Sequence, residues 1–263
     1  MRREQSSYIA DLLRHRNLSF DRGMSSKNIL MDIDSADSSM VDTLYDCMKR
    51  YAFRLLLRDV IRFRQRFTPD MLTRFADRSA VDDYLPVLVA LGIISRVAEN
   101  EYALQKSHIE SFGDTLEWFV AQIFEREFGS PAGWGIKLHN SGVGGDYDVL
   151  ASVENRLVYV EVKSSPPKHI DVQSVCELMR RINALAPQMA VLLVDTALRM
   201  RDKIVPLCEQ AFRSFGQDGC VECLESELFH WKHCFYIVNA KPHLDGNLQK
   251  VIGDCLRHGG MQI

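Results

Sequence analysis

Asp148, Glu161 and Lys163 are the residues of this chain whose types and spacing point most directly to chemistry. They lie in residues 145–165, where Gly-Asp-Tyr-Asp-Val-Leu-Ala-Ser-Val is followed by Glu154 and Asn155 and then by Arg-Leu-Val-Tyr-Val-Glu-Val-Lys-Ser-Ser. Two β-rich runs around a short polar break predict a β-hairpin. Strand side chains alternate between faces, so Glu161 and Lys163 share one face while Val160 and Val162 take the other. With Glu154 and Asn155 as a two-residue turn, Val153 pairs with Arg156, Asp148 falls opposite Glu161, and Asp146 falls opposite Lys163. Opposed residues have Cβ atoms roughly 4.5–5.5 Å apart. Two carboxylates that close repel unless a cation sits between them, and a divalent metal held by oxygen ligands is the usual solution. The register depends on the turn: Glu-Asn is a poorer primed turn than Asn-Gly, and a slip of one residue would carry Asp148 to the other face.

The plain alternative is a solvated face of an edge strand, because Glu-Xaa-Lys triplets are common. The context argues against it: an Asp one hairpin upstream, strongly apolar residues in between, and an acidic helix ahead of the hairpin. In that helix, expected from about residue 112 to 128, Leu116, Phe119, Val120, Ile123 and Phe124 form the apolar face, and Glu117 sits beside it one turn after Gly113. A charge so near a core face is costly unless it is paired or bound to metal.

Asp148 followed by Glu161-Val162-Lys163, behind a helix carrying Gly113 and Glu117, resembles the PD-(D/E)XK nuclease superfamily. The resemblance implies a restriction-endonuclease-like α/β core, in the order helix, three strands, helix, strand, matched over residues from about 111 to 200. It implies a mixed sheet flanked by helices. It also implies metal-dependent phosphodiester hydrolysis, with Glu117, Asp148 and Glu161 holding Mg²⁺ or Mn²⁺ and Lys163 orienting water or stabilising the transition state. Tyr147 stands where the family name has Pro, which leaves the subfamily open. Gln173, in the first turn of the following helix, occupies a position that some subfamilies use to contact substrate; a surface Gln is the equal alternative, and Asp146 is the other candidate substrate contact.

The elements around this core read in order. Residues 1–40 form a Ser-, Asp- and Arg-rich arm, partly disordered, with a short helix over 8–13 and a polar linker over 32–39. Residues 41–106 read as a mainly helical, winged-helix-like domain: one helix over 41–67, a second starting at Thr68-Pro69 with Met71, Leu72 and Phe75 inward, a third over 80–91, and a small hairpin around 98–100. Arg50, Arg54, Arg58, Arg62 and Arg66 make a basic row that is either a phosphate-contacting ridge or, the favoured reading, a solvated face paired with Asp46 and Asp59. Asp82 and Asp83 at the start of the third helix would repel phosphate, so docking or dimerisation is as good a role as DNA reading. Residues 107–263 complete the nuclease-like domain, with a helix over 169–185, a buried strand over 189–195, a helix over 201–215, a strand over 235–239 and a closing helix over 244–257.

The 263 residues carry a net charge of −3, so nucleic acid would have to be held by local patches or metal rather than bulk charge. Seven scattered cysteines without a signal peptide suggest reduced thiols in a cytoplasmic protein, and no apolar run reaches bilayer length. Residues 141–145 lack the Lys-Ser or Lys-Thr of a phosphate-binding loop, and their glycines suit a sharp turn or a close approach. Cys220, Cys223, His230, His233 and Cys234 have partial zinc spacing, although the apolar residues among them read equally as core. The reading is thus a Mg²⁺-dependent nuclease acting on DNA, an endonuclease rather than an exonuclease, in a defence or repair setting. The alternatives are a non-catalytic nucleic-acid-binding or regulatory module, and a subunit active only in a complex or as a homodimer through the winged-helix-like domain.

Overall fold

The computed structural model describes residues 2–21, 26–139, 142–164, 166–217 and 219–258. Parts of the glycine-rich 141–145 loop and of the chain after Lys163 therefore lie outside the described residues. In chain order the elements are α1 (Arg2–Arg14), β1 (Phe20–Asp21), α2 (Ser38–Met48), α3 (Tyr51–Arg62), α4 (Arg78–Ala90), β2 (Ile94–Ala98), β3 (Glu101–Leu104), α5 (Gly113–Glu127), β4 (Ala132–Leu138), β5 (Asp146–Val153) and β6 (Arg156–Lys163). Then come α6 (Val172–Leu185), β7 (Met189–Val194), α7 (Ile204–Ser214), β8 (Glu222–Glu225), β9 (Leu228–Trp231), β10 (Phe235–Asn239) and α8 (Leu244–His258). Two compact units divide the chain, Ser25–Phe119 on one side and Met1–Met24 with Val120–Ile263 on the other.

The larger unit is built on an eight-stranded mixed sheet in the order β1-β4-β5-β6-β7-β10-β9-β8. The run β4-β5-β6 is antiparallel, β6, β7 and β10 are parallel neighbours, and β9 and β8 return antiparallel. Every residue of β7 is buried, as a parallel strand covered on both faces requires. On one face, Leu157 and Tyr159 of β6 and Ala190, Leu192 and Val194 of β7 pack with Val175, Leu178, Ile182 and Leu185 of α6 and with α7. Those α6 positions follow helical spacing, so one stripe of the helix closes over the sheet. Asp171 starts α6 by accepting the Ser174 amide at 2.8 Å, and Ala186 ends it in the left-handed region at φ 48°. On the opposite face α8 packs against β10, where Tyr236 alternates with the Phe235 and Ile237 of the first face.

The arm expected to be partly disordered contributes α1, whose Ile9 and Leu13 are buried in the α6-side core, and β1, which adds two residues to the sheet beside β4. The β5–β6 turn takes the expected two-residue form. Glu154 and Asn155 have φ 48° and 62°, the pair of positive values that a type I′ turn needs, and Val153 pairs with Arg156.

The smaller unit differs from expectation in three places. The helix over 41–67 is two helices, α2 and α3, because Arg50 is extended and the Arg54 guanidinium turns back to donate to Met48 O at 2.6 Å and Lys49 O at 3.2 Å. Arg54 is thereby fully buried over the rings of Tyr51 and Phe119, so the basic row is neither a continuous phosphate ridge nor a continuous solvated face. Residues after Thr68 make a single 3-10 turn, Pro69–Leu72, which buries Leu72 and leaves Met71 and Phe75 exposed. The polar linker over 32–39 is preceded by three buried residues, Ile29, Leu30 and Met31, and itself buries Ile33. Asp77 caps α4 through the Ala80 amide, Asp82 is paired with Arg78 at 2.9 Å, and β2 and β3 form the small antiparallel hairpin.

Candidate active site

The hairpin register carries the site. The rungs Val149↔Val160 through Val153↔Arg156 all obey the pairing set by the turn, which makes Asp148 and Glu161 the next residues in line. At that point the Asp148 side chain takes over from the backbone ladder: its Oδ2 accepts the Val162 amide at 2.7 Å. Glu161 and Lys163 project on the α6 side of β6 with Leu157 and Tyr159, as period-two alternation dictates.

Glu161 is the electrostatic centre. Its side chain is 2% exposed, its Oε1 accepts from Lys163 Nζ at 2.7 Å, and its Oε2 accepts from Arg181 of α6 at 2.6 Å and from the Tyr159 hydroxyl. Arg181 also donates to the Tyr159 oxygen at 3.2 Å, while its Nε is buried with no hydrogen-bond partner among the described residues. The Tyr147 hydroxyl donates to the Arg181 carbonyl at 3.3 Å, and the Tyr147 and Tyr159 rings lie 5.0 Å apart, walling the cluster. Gly145 shows what the glycines allow: its φ of +106° is one that side chains rarely adopt, and it places the backbone beside Arg181.

The two carboxylates are driven apart in acidity. Burial, then the charge of Glu161, raises the Asp148 pKa to about 7 against the opposing pull of the Val162 amide, Lys163 and Arg181. Burial works the same way on Glu161 but is outweighed by Lys163 and Arg181, so Glu161 titrates below an ordinary glutamate. The Tyr159 hydroxyl, buried beside both acids, is pushed well up and stays a donor. Near neutral pH the cluster therefore holds one firmly ionised carboxylate and one that retains a proton part of the time.

Asp146 and Gln173 have partners of their own, and Glu117 belongs to the smaller unit. Asp146, expected across from Lys163, pairs with Lys137 of β4, with Nζ and Oδ2 3.6 Å apart, and is half exposed. Gln173 sits in the first turn of α6, but its amide donates to Glu177 at 3.2 Å on the exposed surface. Glu117 stands half-buried on α5, in the part of that helix belonging to the Ser25–Phe119 unit. Of the zinc candidates, Cys220 and Cys223 are exposed, with thiols near Glu209 and Ser226, while the buried Cys234 donates to Trp231 O. Among the described residues the ligating side chains that gather are His233, Asp254 and His258, and none is a thiol.

Arg181 and Tyr159 are the members that a reading of motifs misses. Each leaves a trace in the sequence. Tyr159 precedes Glu161 by two and so must share its face, and Arg181 lies at i+3 from Leu178 and i−4 from Leu185, inside the apolar stripe of α6.

No protein-family model matches the chain, and no curated protein matches it in sequence. Among solved structures it is similar to protein VC1899 from Vibrio cholerae, with a TM-score of 0.51 and 15% identity, over 86% of this chain and 59% of that one. It also aligns with Can2 from Sulfobacillus thermosulfidooxidans, solved in complex with cyclic tetra-adenylate, with a TM-score of 0.45 and 10% identity, over 90% of this chain and 57% of that one. The chain thus spans under two thirds of either protein, and the likeness to VC1899 is one of fold alone. No helix among the described residues is long and apolar enough to cross a membrane.

Proposed function

We propose that the chain is a metal-dependent nuclease whose α5-β4-β5-β6-α6-β7 stretch is a restriction-endonuclease-like core, with Asp148, Glu161 and Lys163 as its catalytic set. The observation that carries this reading is geometric: the hairpin register sets the Asp148 carboxylate of β5 beside the buried Glu161 carboxylate of β6, with Lys163 Nζ 2.7 Å from Glu161 Oε1. Burial and then the charge of Glu161 raise the Asp148 pKa, and a divalent ion between the two carboxylates would relieve both. All the donor atoms are carboxylate oxygens, which fit hard ions such as Mg²⁺ or Mn²⁺. Asp148 and Glu161 would hold the ion, and when bound it supplies Lewis acidity toward a phosphoryl oxygen and a lowered pKa for bound water.

The chain's own residues divide the remaining work. Asp148, whose Oδ2 accepts the Val162 amide, would hold the ion as a full anion. Arg181 and Tyr159 keep Glu161 ionised and fixed in one rotamer from the buried side. Lys163, 31% exposed, is the cation of the cluster that reaches solvent, and it is placed to orient a water or to neutralise charge gathering on the phosphoryl oxygens. The substrate class is nucleic acid, DNA before RNA, and cleavage is internal. The Ser25–Phe119 unit, read as winged-helix-like, serves as the docking module for a protein partner or a second copy of the chain.

The test is incubation with supercoiled plasmid, linear duplex, single-stranded DNA and RNA, each with Mg²⁺, Mn²⁺ or EDTA, using wild type, Lys163→Ala, Asp148→Ala and Glu117→Gln. Metal-dependent nicking that falls at least a hundredfold in the first two variants, with unchanged circular dichroism, is the expected result. Glu117→Gln decides whether the third expected carboxylate takes part. Cleavage retained by Lys163→Ala or Asp148→Ala removes the assignment. A second reading, a subunit that cuts only with a partner, is favoured by the net charge of −3. A flat, weak dependence of DNA affinity on salt, in place of the steep fall of an autonomous binder, selects it.

A further inference from the structure

The C-terminal helix and the β9–β10 turn bring together a second set of ligating groups, on the α8 side of the sheet and separate from the Asp148–Glu161 pair. Asp254 and His258 stand four residues apart on α8 and so share one helical face. His233 comes from the turn, where Lys232 and His233 both adopt φ 53°, a conformation that reverses the chain in two residues. His233 Nδ1 lies 2.7 Å from Asp254 Oδ2, and His258 Nδ1 lies 3.0 Å from Asp254 Oδ1. One ligand atom from each of the three can be chosen so that all lie within 4.8 Å of one another.

We propose that His233, Asp254 and His258 bind one divalent transition-metal ion of the zinc class, clamping the last turn of α8 to the β9–β10 turn. Two imidazoles and one carboxylate make a borderline donor set that prefers zinc to Mg²⁺. Around a tetrahedral ion with bonds of about 2.0–2.1 Å, ligand atoms stand roughly 3.3 Å apart, so the 2.7 Å and 3.0 Å contacts to Asp254 have to open slightly and any wider separation within the 4.8 Å span has to close. The two histidines can make that adjustment because they are the exposed members, at 36% and 51%, while Asp254 is 4% exposed and fixed. The surrounding groups hold the set as the outer partners of a metal site do. The Tyr236 hydroxyl donates to Asp254 Oδ2 at 2.8 Å, and the His230 ring stacks on His233 with centroids 3.9 Å apart. His230 Nδ1 also accepts the His233 amide at 3.4 Å, which fixes the turn. The two histidines are the solvent-facing members of the set.

Equilibrium dialysis of the chelator-stripped full chain against Zn²⁺, read by elemental analysis and by thermal unfolding, tests the site without reference to nuclease activity. The expected result is one zinc per chain and a raised Tm, neither reproduced by Mg²⁺. His258→Gln and His233→Gln each lower zinc affinity at least tenfold, while the Cys220→Ser/Cys223→Ser double variant keeps it. His258 is half exposed at the helix end, so His258→Gln leaves the fold intact. Absence of stoichiometric uptake overturns the proposal, as does uptake that survives both histidine variants or that disappears with the two exposed cysteines.

Discussion

Glu161 and Asp254 are both nearly buried carboxylates with a tyrosine hydroxyl on one oxygen, set on opposite faces of the same sheet, yet their charges are balanced by different means. Glu161 is held between the Lys163 amine and the Arg181 guanidinium, and its pKa falls in spite of burial. Asp254 is held between His233 and His258, whose nitrogens are neutral or charged according to surroundings. Its pKa also falls in spite of burial, through hydrogen bonds from His233 and Tyr236. The first cluster carries its compensation within the chain, so a neighbouring acid, Asp148, is what remains unbalanced. The second leaves its compensation exchangeable, which is the condition for a metal to enter.

Removing a permanent cation is the severest way to break this contrast. Arg181→Met leaves Glu161 and the Tyr159 hydroxyl facing a low-dielectric wall with Lys163 alone, and breaking such a buried pair costs about 3 kcal/mol. Urea denaturation at pH 7 measures it. The pH dependence comes next. Asp148 has a folded pKa raised above its unfolded value of 3.8, to about 7, so its share of stability is complete below pH 4 and is lost as pH rises through 7. Asp148→Asn removes that loss, and the stability gap between variant and wild type grows in favour of the variant from pH 5 to pH 8. A gap independent of pH would mean that Asp148 is ionised throughout. The smallest effects sharpen the comparison. Tyr236→Phe deletes a donor to Asp254 and costs about 1.5 kcal/mol, and Tyr159→Phe costs less, because Glu161 keeps both cations. Equal losses in metal-free protein would show that the two acids are balanced to the same degree.

What could be read in the sequence follows from how local the cause was. The hairpin was legible because its turn, its alternation and its register are fixed within twenty residues, and Glu161 and Lys163 share a face for no reason beyond a period of two. The break between α2 and α3 was not, because the apolar stripe runs through it. What holds it is the Arg54 guanidinium on two carbonyls, a contact that exists only after the chain has turned. The short helix over 8–13 could be read in the arm, but not its place in the core, because the surface that buries Ile9 and Leu13 is assembled more than a hundred residues later. Arg181 could be placed by spacing inside the α6 stripe, but the partner that makes its burial tolerable belongs to another element. Asp146 and Gln173 found partners nearer than the expected ones, Lys137 and Glu177.

The two ends of the sheet bear on how the chain meets others. At one end β1 contributes only two residues beside β4. At the other, β8 is four residues long, exposes Glu222 and Glu225, and is knocked out of register between Cys223 and Glu225. Short, charged and irregular borders are poor templates for a further strand, and they protect an eight-stranded sheet from edge-to-edge growth. A partner, if this chain has one, would be met by side-chain surfaces more readily than by an extension of the β8 ribbon, whose charged and shifted border offers little to pair with.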